Sequence, residues 1–380
     1  MGTEASVTRF RNLSVKGFRR LADVHLDLHP LNVMIGANGS GKTSVLDVLT
    51  LLAHSAQGKL SESISDLSGL ASILTKDRAE DLQLGISLAL PNEEQMEYSL
   101  KLRLQGIGYA IDEEYLTGVF HTSVLALIDP AFQPDRETVI SPSWQGNPAE
   151  TSLSEVPKTL RRGDEIRRRL ASITAYRPIE VHARSPVRLP QPMRPATLPG
   201  TNGENLVSCL YSLRETEHDR FEAIQDSLRA AFPAFDRLEF PMVAAGTSAL
   251  TWREKNFSHP FYMNELSEGT LRFLWLTTLL LSPGLTPVTL IDEPEVSLHP
   301  ELLSLLADLM RKASRRTQLV VATHSDRLIR FLEPKEVVVI DSTEDGMSTL
   351  TWADQLDIGE WLKDYSLDEL WQNGRIGARP

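Results

Sequence analysis

A single cysteine, Cys209, occurs among 380 residues. That scarcity excludes a disulfide framework and any zinc module built from several cysteines, and it suits a reducing compartment. Cys209 itself reads as a small buried apolar residue. Long apolar runs are missing too: no stretch approaches the ~18 consecutive apolar residues that a membrane span needs. The N-terminus, MGTEASVTRFRN, lacks the apolar centre of a secretion signal. A cytoplasmic protein with no membrane partner is expected. Positive charge is in deficit, with Lys+Arg 39 against Asp+Glu 51 and a formal net charge of −12. A uniformly basic protein that coats nucleic acid is excluded, although a local basic groove is not. What remains is ordinary globular composition, 41% hydrophobic and 24% charged, in a length sufficient for one large or two medium domains.

The first forty residues read as three short strands. FRNLSV and VHLDL alternate apolar and polar residues, whereas LNVMIG is a continuous buried run that stops at Gly36. A glycine-rich loop and the helical pattern KTSVLDVLTLLAH follow. LQLGISLAL and MEYSLKLRLQ alternate on either side of PNEEQ, which predicts an antiparallel hairpin. FQPDRETVISPSWQGNPAE reads as loop, and TSLSEVPKTLRRGDEIRRRLASI as helical toward its end. Six prolines between Arg177 and Gly200 predict an extended segment that hugs the surface. NLVSCLYSLRETEHDRFEAIQDSLRAAF returns to helical spacing. The apolar helix LRFLWLTTLLL, the strand VTLID, a helix from Glu301 and the strands QLVVAT and EVVVI complete the pattern. Strands alternating with helices near both ends indicate one α/β sheet carrying a long insertion.

Gly36-Ala37-Asn38-Gly39-Ser40-Gly41-Lys42-Thr43 fits G-x-x-x-x-G-K-[ST] in full. Its glycines let backbone N–H groups turn inward around phosphate oxygens, where a side chain would block the approach. Lys42 is placed to neutralise β- and γ-phosphates, and the Thr43 hydroxyl to coordinate Mg²⁺. Asp292 and Glu293 end an apolar strand, so Asp292 is expected beside the glycine loop as an Mg²⁺ ligand. Glu293 points elsewhere and is a candidate to polarise a water in line with the γ-phosphate. His324 follows the strand QLVVA, on the edge of an α/β sheet where ligands bind. It reads either as a structural histidine or as a hydrogen-bonding partner of the γ-phosphate or the attacking water. Leu266-Ser267-Glu268-Gly269-Thr270 places a hydroxyl residue and a glycine at a helix start; taken by itself this reads first as a simple helix cap, with an anion-binding geometry as the alternative.

These four motifs, in this order, resemble the ATP-binding cassette (ABC) ATPases of the RecF/SMC branch, and among them the stand-alone ATPases related to the overcoming-lysogenization-defect nucleases. The likeness also covers FRRLADVHLDLHPLNVMIGANGSGKTS, LIDEPEVSLHP and the tail YSLDELWQNGRIG. It implies an α/β fold, an ABC-type P-loop NTPase head with an antiparallel β subdomain and a long, partly helical second lobe. Residues 1–380 then form a single head. Within it, 1–55 and 285–345 are the nucleotide-binding core, 80–110 a β hairpin, 110–280 the second lobe and 345–380 C-terminal helices. By this resemblance ATP and Mg²⁺ are the cofactors. Gly36, Asn38, Gly39, Ser40, Gly41, Lys42, Thr43 and Ser44 bind ATP, with Thr43 and Asp292 on the metal. Glu293 is the catalytic base and His324 the switch histidine. Ser267 and Gly269 touch the γ-phosphate of ATP held by a second copy, giving a homodimer closed around two nucleotides. Ser297-Leu298-His299 matches the loop that crosses that interface, and Arg19 matches an arginine that reaches the nucleotide phosphates. The signature reads LSEGT rather than LSGGQ, and for the glutamine that links nucleotide to second lobe Gln57 and Gln83 are the candidates.

Nine arginines crowd 161–194, against Asp164, Glu165 and Glu180. Such a stretch reads as a surface for nucleic-acid backbone or an acidic partner, or as a solvated helix face with ion pairs. Among functions, an ATP-driven switch acting on nucleic acid or on an effector protein is favoured. The motor subunit of a membrane transporter is the alternative, but about 220 residues separate Lys42 from Ser267, far more than such motors insert. Long coiled-coil arms are excluded by the absence of sustained heptads. After His324 only a strand and two short helices are expected, too little for a fused nuclease domain. A separate effector such as a nuclease is therefore expected, in DNA repair or anti-phage defence.

Overall fold

The strand Leu31–Ile35 is buried at every residue because it lies inside a six-stranded sheet with both faces covered. Gln318–Ala322 and Val337–Ser342 flank it in parallel, and Val288–Asp292 and Thr174–Tyr176 extend the parallel array beyond Gln318–Ala322. Ser348–Trp352 closes the other edge, antiparallel to Val337–Ser342. The computed structural model describes residues 9–89, 95–118, 125–128, 147–361 and 364–377.

Side chains alternate across a strand, so the sheet feeds two cores. Val33, Ile35, Ile291, Leu319, Val321 and Val339 face one, which they share with residues of the helices Leu206–Thr216, Glu268–Leu281 and Leu303–Ser314. Met34, Leu290, Val320, Ala322, Val338 and Ile340 face the other, with the helix Lys42–Ala56 and an antiparallel sheet. That second sheet runs Leu21–Asp27, Phe10–Phe18, Asp81–Ala89, Gln95–Gln105, Gly108–Gly118, Leu125–Ile128. Its alternating residues Leu82, Leu84, Ile86, Leu88 and Met96, Tyr98, Leu100, Leu102 are all buried. Each such side chain contributes ~1.5–3 kcal/mol of burial to holding the sheet against the core.

Parallel strands end at one edge. Register sets Asp292 opposite Ala322, and Ala322 opposite Met34. The glycine loop, Glu293 and Thr323 therefore leave the sheet side by side.

The fold corrects several expectations. The first two strands belong to the antiparallel sheet, not to the nucleotide-binding sheet. The hairpin of 80–110 is real, with Asp81 opposite Arg103 and Ala89 opposite Gln95, but a third long strand, Gly108–Gly118, continues it. The segment 110–280 is thus not all second lobe, since Gly108–Gly118 and Thr174–Tyr176 sit in the two sheets. The C-terminal 345–380 begins with the strand Ser348–Trp352 before the helix Leu367–Gln372, so two strands follow His324 rather than one. The long helical pattern after Asn205 breaks at Glu217 into Leu206–Thr216 and His218–Ala231. Most of the loop expected around 132–150 lies outside the described residues. The proline-rich segment is extended as expected, apart from the short turn Pro186–Arg188 and the two-residue strand Gln191–Pro192.

Candidate functional site

The loop between Leu31–Ile35 and Lys42–Ala56 has a shape that only glycine allows. Gly39 and Gly41 have φ of 74° and 116°, in the region that side chains disfavour. A Cβ on Gly36 would stand 2.2 Å from the Ile340 carbonyl oxygen, and one on Gly41 2.8 Å from Ser348 Oγ. Ser348 Oγ in turn donates to the Ser40 carbonyl at 2.6 Å, tying the loop to the edge strand. Asn38, Gly39 and Thr43 are exposed, whereas Ser40, Lys42 and Ser44 are buried. Ser40 Oγ is buried without a hydrogen-bond partner. A concave backbone, an orphaned hydroxyl and a buried lysine fit a bound polyphosphate.

Lys42 Nζ donates to the carbonyls of Gly36 (2.6 Å) and Ala37 (3.0 Å). Burial pushes its ammonium down to about 8, against the opposing pull of Glu293, Asp292 and Glu295. Burial likewise raises Asp292, helped by repulsion from Glu293 and opposed by Arg177 and Lys42. Lysine and carboxylates thus share one electrostatic neighbourhood. Thr43 and Asp292 offer hard oxygen donors, the chemistry Mg²⁺ takes beside phosphates. His324 Nε2 lies 3.7 Å from Glu293 Oε1. Burial and the Lys42 charge lower the histidine, with Glu293 acting the other way.

Backbone strain gathers at the same place. Of five non-glycine residues with positive φ among those described, three are Arg19 (48°), Glu293 (45°) and Ser297 (62°). Such conformations cost ~1–3 kcal/mol each and persist where the surroundings over-determine them. The Glu293 N–H donates to the Ala322 carbonyl at 2.8 Å, which holds that turn to the neighbouring strand. Arg19 Nη1 meets Asp47 Oδ2 on the helix after the glycine loop at 2.7 Å, and Arg177 Nη2 reaches Asp47 Oδ1 at 3.7 Å.

A family described as "AAA domain, putative AbiEii toxin, Type IV TA system" matches residues 31–330. The chain belongs to this family. The DNA replication and repair protein RecF of Colwellia psychrerythraea is 40% identical over 78 residues, 20% of this chain and 21% of that protein. The chain therefore matches about a fifth of that relative's length. Two solved SMC heads share the fold. The match to one, bound to the C-winged helix domain of ScpA, covers 93% of this chain and 99% of that chain at 15% identity and TM-score 0.55. The match to the other, from Pyrococcus furiosus and bound to the C-terminal domain of ScpA, covers 94% and 98% at 12% identity and TM-score 0.53. This is an ABC-type P-loop ATPase fold of the RecF/SMC branch. Among the described residues no helix is long and apolar enough to cross a membrane.

In this AAA-domain protein the signature serine is both cap and exposed surface. Ser267 Oγ accepts from the Thr270 N–H at 3.1 Å and starts the helix Glu268–Leu281. A Cβ on Gly269 would stand 2.6 Å from the Ser297 carbonyl, so signature and Ser297 loop touch within one chain. Neither Ser267 nor Gly269 shares a hydrogen bond with the phosphate loop or with Asp292 and Glu293. Gln57 and Gln83 stand apart from the site as well: Gln57 bonds the Ala171 carbonyl and Gln83 bonds Asp81.

One residue of the site lies within LIDEPEVSLHP but is given no role by the sequence motifs. Glu295 Oε1 accepts from Thr323 Oγ1 (2.6 Å) and from the His324 N–H (3.0 Å). It joins the turn after Asp292 to the histidine segment. Its signal in the sequence is the last acid of LIDEPE, which has no evident partner nearby in the chain. The arginine helix Arg161–Ala171 follows the solvated-face alternative at its centre. Arg167 and Arg168 pair with Asp164, and Arg168 and Arg169 with Glu165.

Proposed function

We propose that the chain hydrolyses ATP as a molecular switch, with two copies joined head to tail around two nucleotides. The observation that carries this reading is the convergence of Lys42, Asp292, Glu293 and His324 at one sheet edge, while Ser267 stands exposed and without a bond to that edge. Asn38, Ser40, Gly41, Ser44 and the other loop residues cradle the phosphates through backbone and hydroxyl donors, and Arg19 lies beside them on Asp47. Thr43 and Asp292 would hold Mg²⁺, which would supply positive charge to offset that of the phosphates. Lys42 adds a fixed positive charge. Glu293 orients the attacking water and takes its proton, and the imidazole of His324 hydrogen-bonds the water or the γ-phosphate. Ser267 and Gly269 of one copy complete the site on the other. This division of labour gives two closed sites when ATP is present and two open half-sites after hydrolysis.

Support for the setting is of two kinds. The RecF stretch favours work on DNA in repair, and the family description, which names a putative toxin of a Type IV TA system, favours a role in a system of that kind. The exposed arginines of this stretch, Arg161, Arg168, Arg177, Arg184 and Arg194, belong to the surface such a partner or a phosphate backbone would meet. A cytoplasmic location goes with either setting. The test of the chemistry is Glu293→Gln: hydrolysis falls by two or more orders of magnitude while ATP binding is retained. Hydrolysis at the wild-type rate by that variant removes Glu293 from the mechanism.

A further inference from the structure

By sequence, Arg188 groups with the arginines of a phosphate-binding surface. The fold turns it inward instead. It ends the short turn Pro186–Arg188, and its Nε donates to the Val181 carbonyl at 2.6 Å. Its Nη1 reaches three carbonyls of one tight turn: Met263 at 3.1 Å, Asn264 at 3.3 Å and Leu266 at 2.9 Å. Leu266 is the residue immediately before Ser267. The turn is braced by its own bonds, Glu265 Oε2 accepting from the Tyr262 N–H at 2.7 Å. Directly beyond it, Ser267 caps its helix and Gly269 abuts the Ser297 carbonyl.

We propose that Arg188 is a positioning residue for the signature motif: its guanidinium fixes the turn 263–266 so that Ser267 and Gly269 are presented to the nucleotide of a second copy. The inference rests on the two-copy reading above. Two features separate it from a purely structural role. The proline-rich segment has its own anchor in Gln191, which donates to the carbonyls of Pro186 (2.9 Å) and Gly203 (2.6 Å) and accepts from the Val207 N–H at 3.0 Å. Losing Arg188 therefore leaves that segment attached. The guanidinium is also the right group for the task, because a planar cation with several fixed N–H donors can gather carbonyls that diverge from one another. An ammonium on a flexible stem holds fewer of them in fixed geometry.

Arg188→Ala is expected to bind ATP within about twofold of wild type, since the phosphate loop is untouched, and to hydrolyse it at least tenfold more slowly. Arg188→Lys is expected to fall between the two, and serves if the alanine variant does not fold. The deciding measurement mixes each variant with Glu293→Gln before ATP is added. In a mixed pair the Arg188→Ala chain supplies an intact phosphate loop and Glu293, and its partner supplies an intact signature. Random pairing then restores about one quarter of wild-type activity, although each protein alone has about a tenth of it or less. Ser267→Arg mixed with Glu293→Gln is the control. If the control recovers activity and the Arg188 mixtures do not, Arg188 is not a positioning residue while the two-copy reading stands. Wild-type hydrolysis by Arg188→Ala overturns the inference as well. If neither mixture recovers, the two-copy reading itself fails and takes the inference with it.

Discussion

Replacing Glu295 should damage hydrolysis without touching the phosphate loop, and the damage should depend on which residue replaces it. Thr323 is fully buried, and its hydroxyl donates to Glu295 Oε1 while accepting from the Ser325 N–H at 3.0 Å. The His324 N–H uses the same carboxylate oxygen. Glu295→Ala strands the Thr323 hydroxyl and the His324 N–H. At ~1–3 kcal/mol for each unsatisfied donor, the loss is about 2–6 kcal/mol of stability. The histidine segment loses its tie to the Asp292–Glu293 turn, so His324 no longer holds its place beside Glu293. The rate constant for hydrolysis should fall by roughly ten- to hundredfold with little change in ATP affinity. Glu295→Gln should behave differently. Burial raises the Glu295 carboxyl above its ordinary range, and its Oε2 is buried without a partner, so the site favours a neutral group. A glutamine keeps the accepting oxygen and carries no charge, and is expected to lie near wild type. Thermal unfolding and steady-state ATP hydrolysis of both variants check this. Equal damage from Gln and Ala, or an active Glu295→Ala, would refute the reasoning.

Lys42 gives a pH prediction. Its ammonium sits near 8 in the fold against 10.5 for an ordinary lysine, so between these values the folded chain binds fewer protons than the unfolded chain. Its contribution to stability therefore rises with pH across that window, and ATP affinity, which needs the charged form, weakens by up to about tenfold per pH unit. Unfolding and ATP titrations of wild type against Lys42→Met isolate both trends, and parallel profiles would contradict them. Gly41→Ala forces a side chain into φ 116° with its Cβ 2.8 Å from Ser348 Oγ. It should cost roughly 1–3 kcal/mol of stability and abolish ATP binding, as calorimetry with ATP would show.

The parts of the site legible in sequence are those fixed locally. The glycine loop is a backbone shape, and the residues that allow it are contiguous. Buried parallel strands announce themselves as apolar runs, so the residue pattern alone puts Asp292 and His324 at strand ends. What the pattern does not show depends on contacts distant in the chain. Glu295 matters because register brings Val288–Asp292 beside Gln318–Ala322, and Arg188 because the turn at 263–266 folds onto it. An inward arginine and a solvent-facing one look alike in a basic stretch. Gly108–Gly118 is hard to recognise as a strand because GYAIDEEYLTG is acidic and carries little apolar alternation. Its buried Glu114 is instead satisfied by Tyr98 and the Ser152 and Leu153 N–H groups. No glycine or proline marks the break at Glu217, so the two helices there read as one.

The central claim is that ATP binding joins two copies and that hydrolysis separates them. Its most direct test is the solution mass of Glu293→Gln, measured by light scattering with and without ATP and Mg²⁺. The account predicts a monomer without nucleotide, a dimer with ATP, and a monomer again when Ser267→Arg is added to the same chain. A mass that stays monomeric with ATP, or a dimer indifferent to both nucleotide and Ser267, would contradict it.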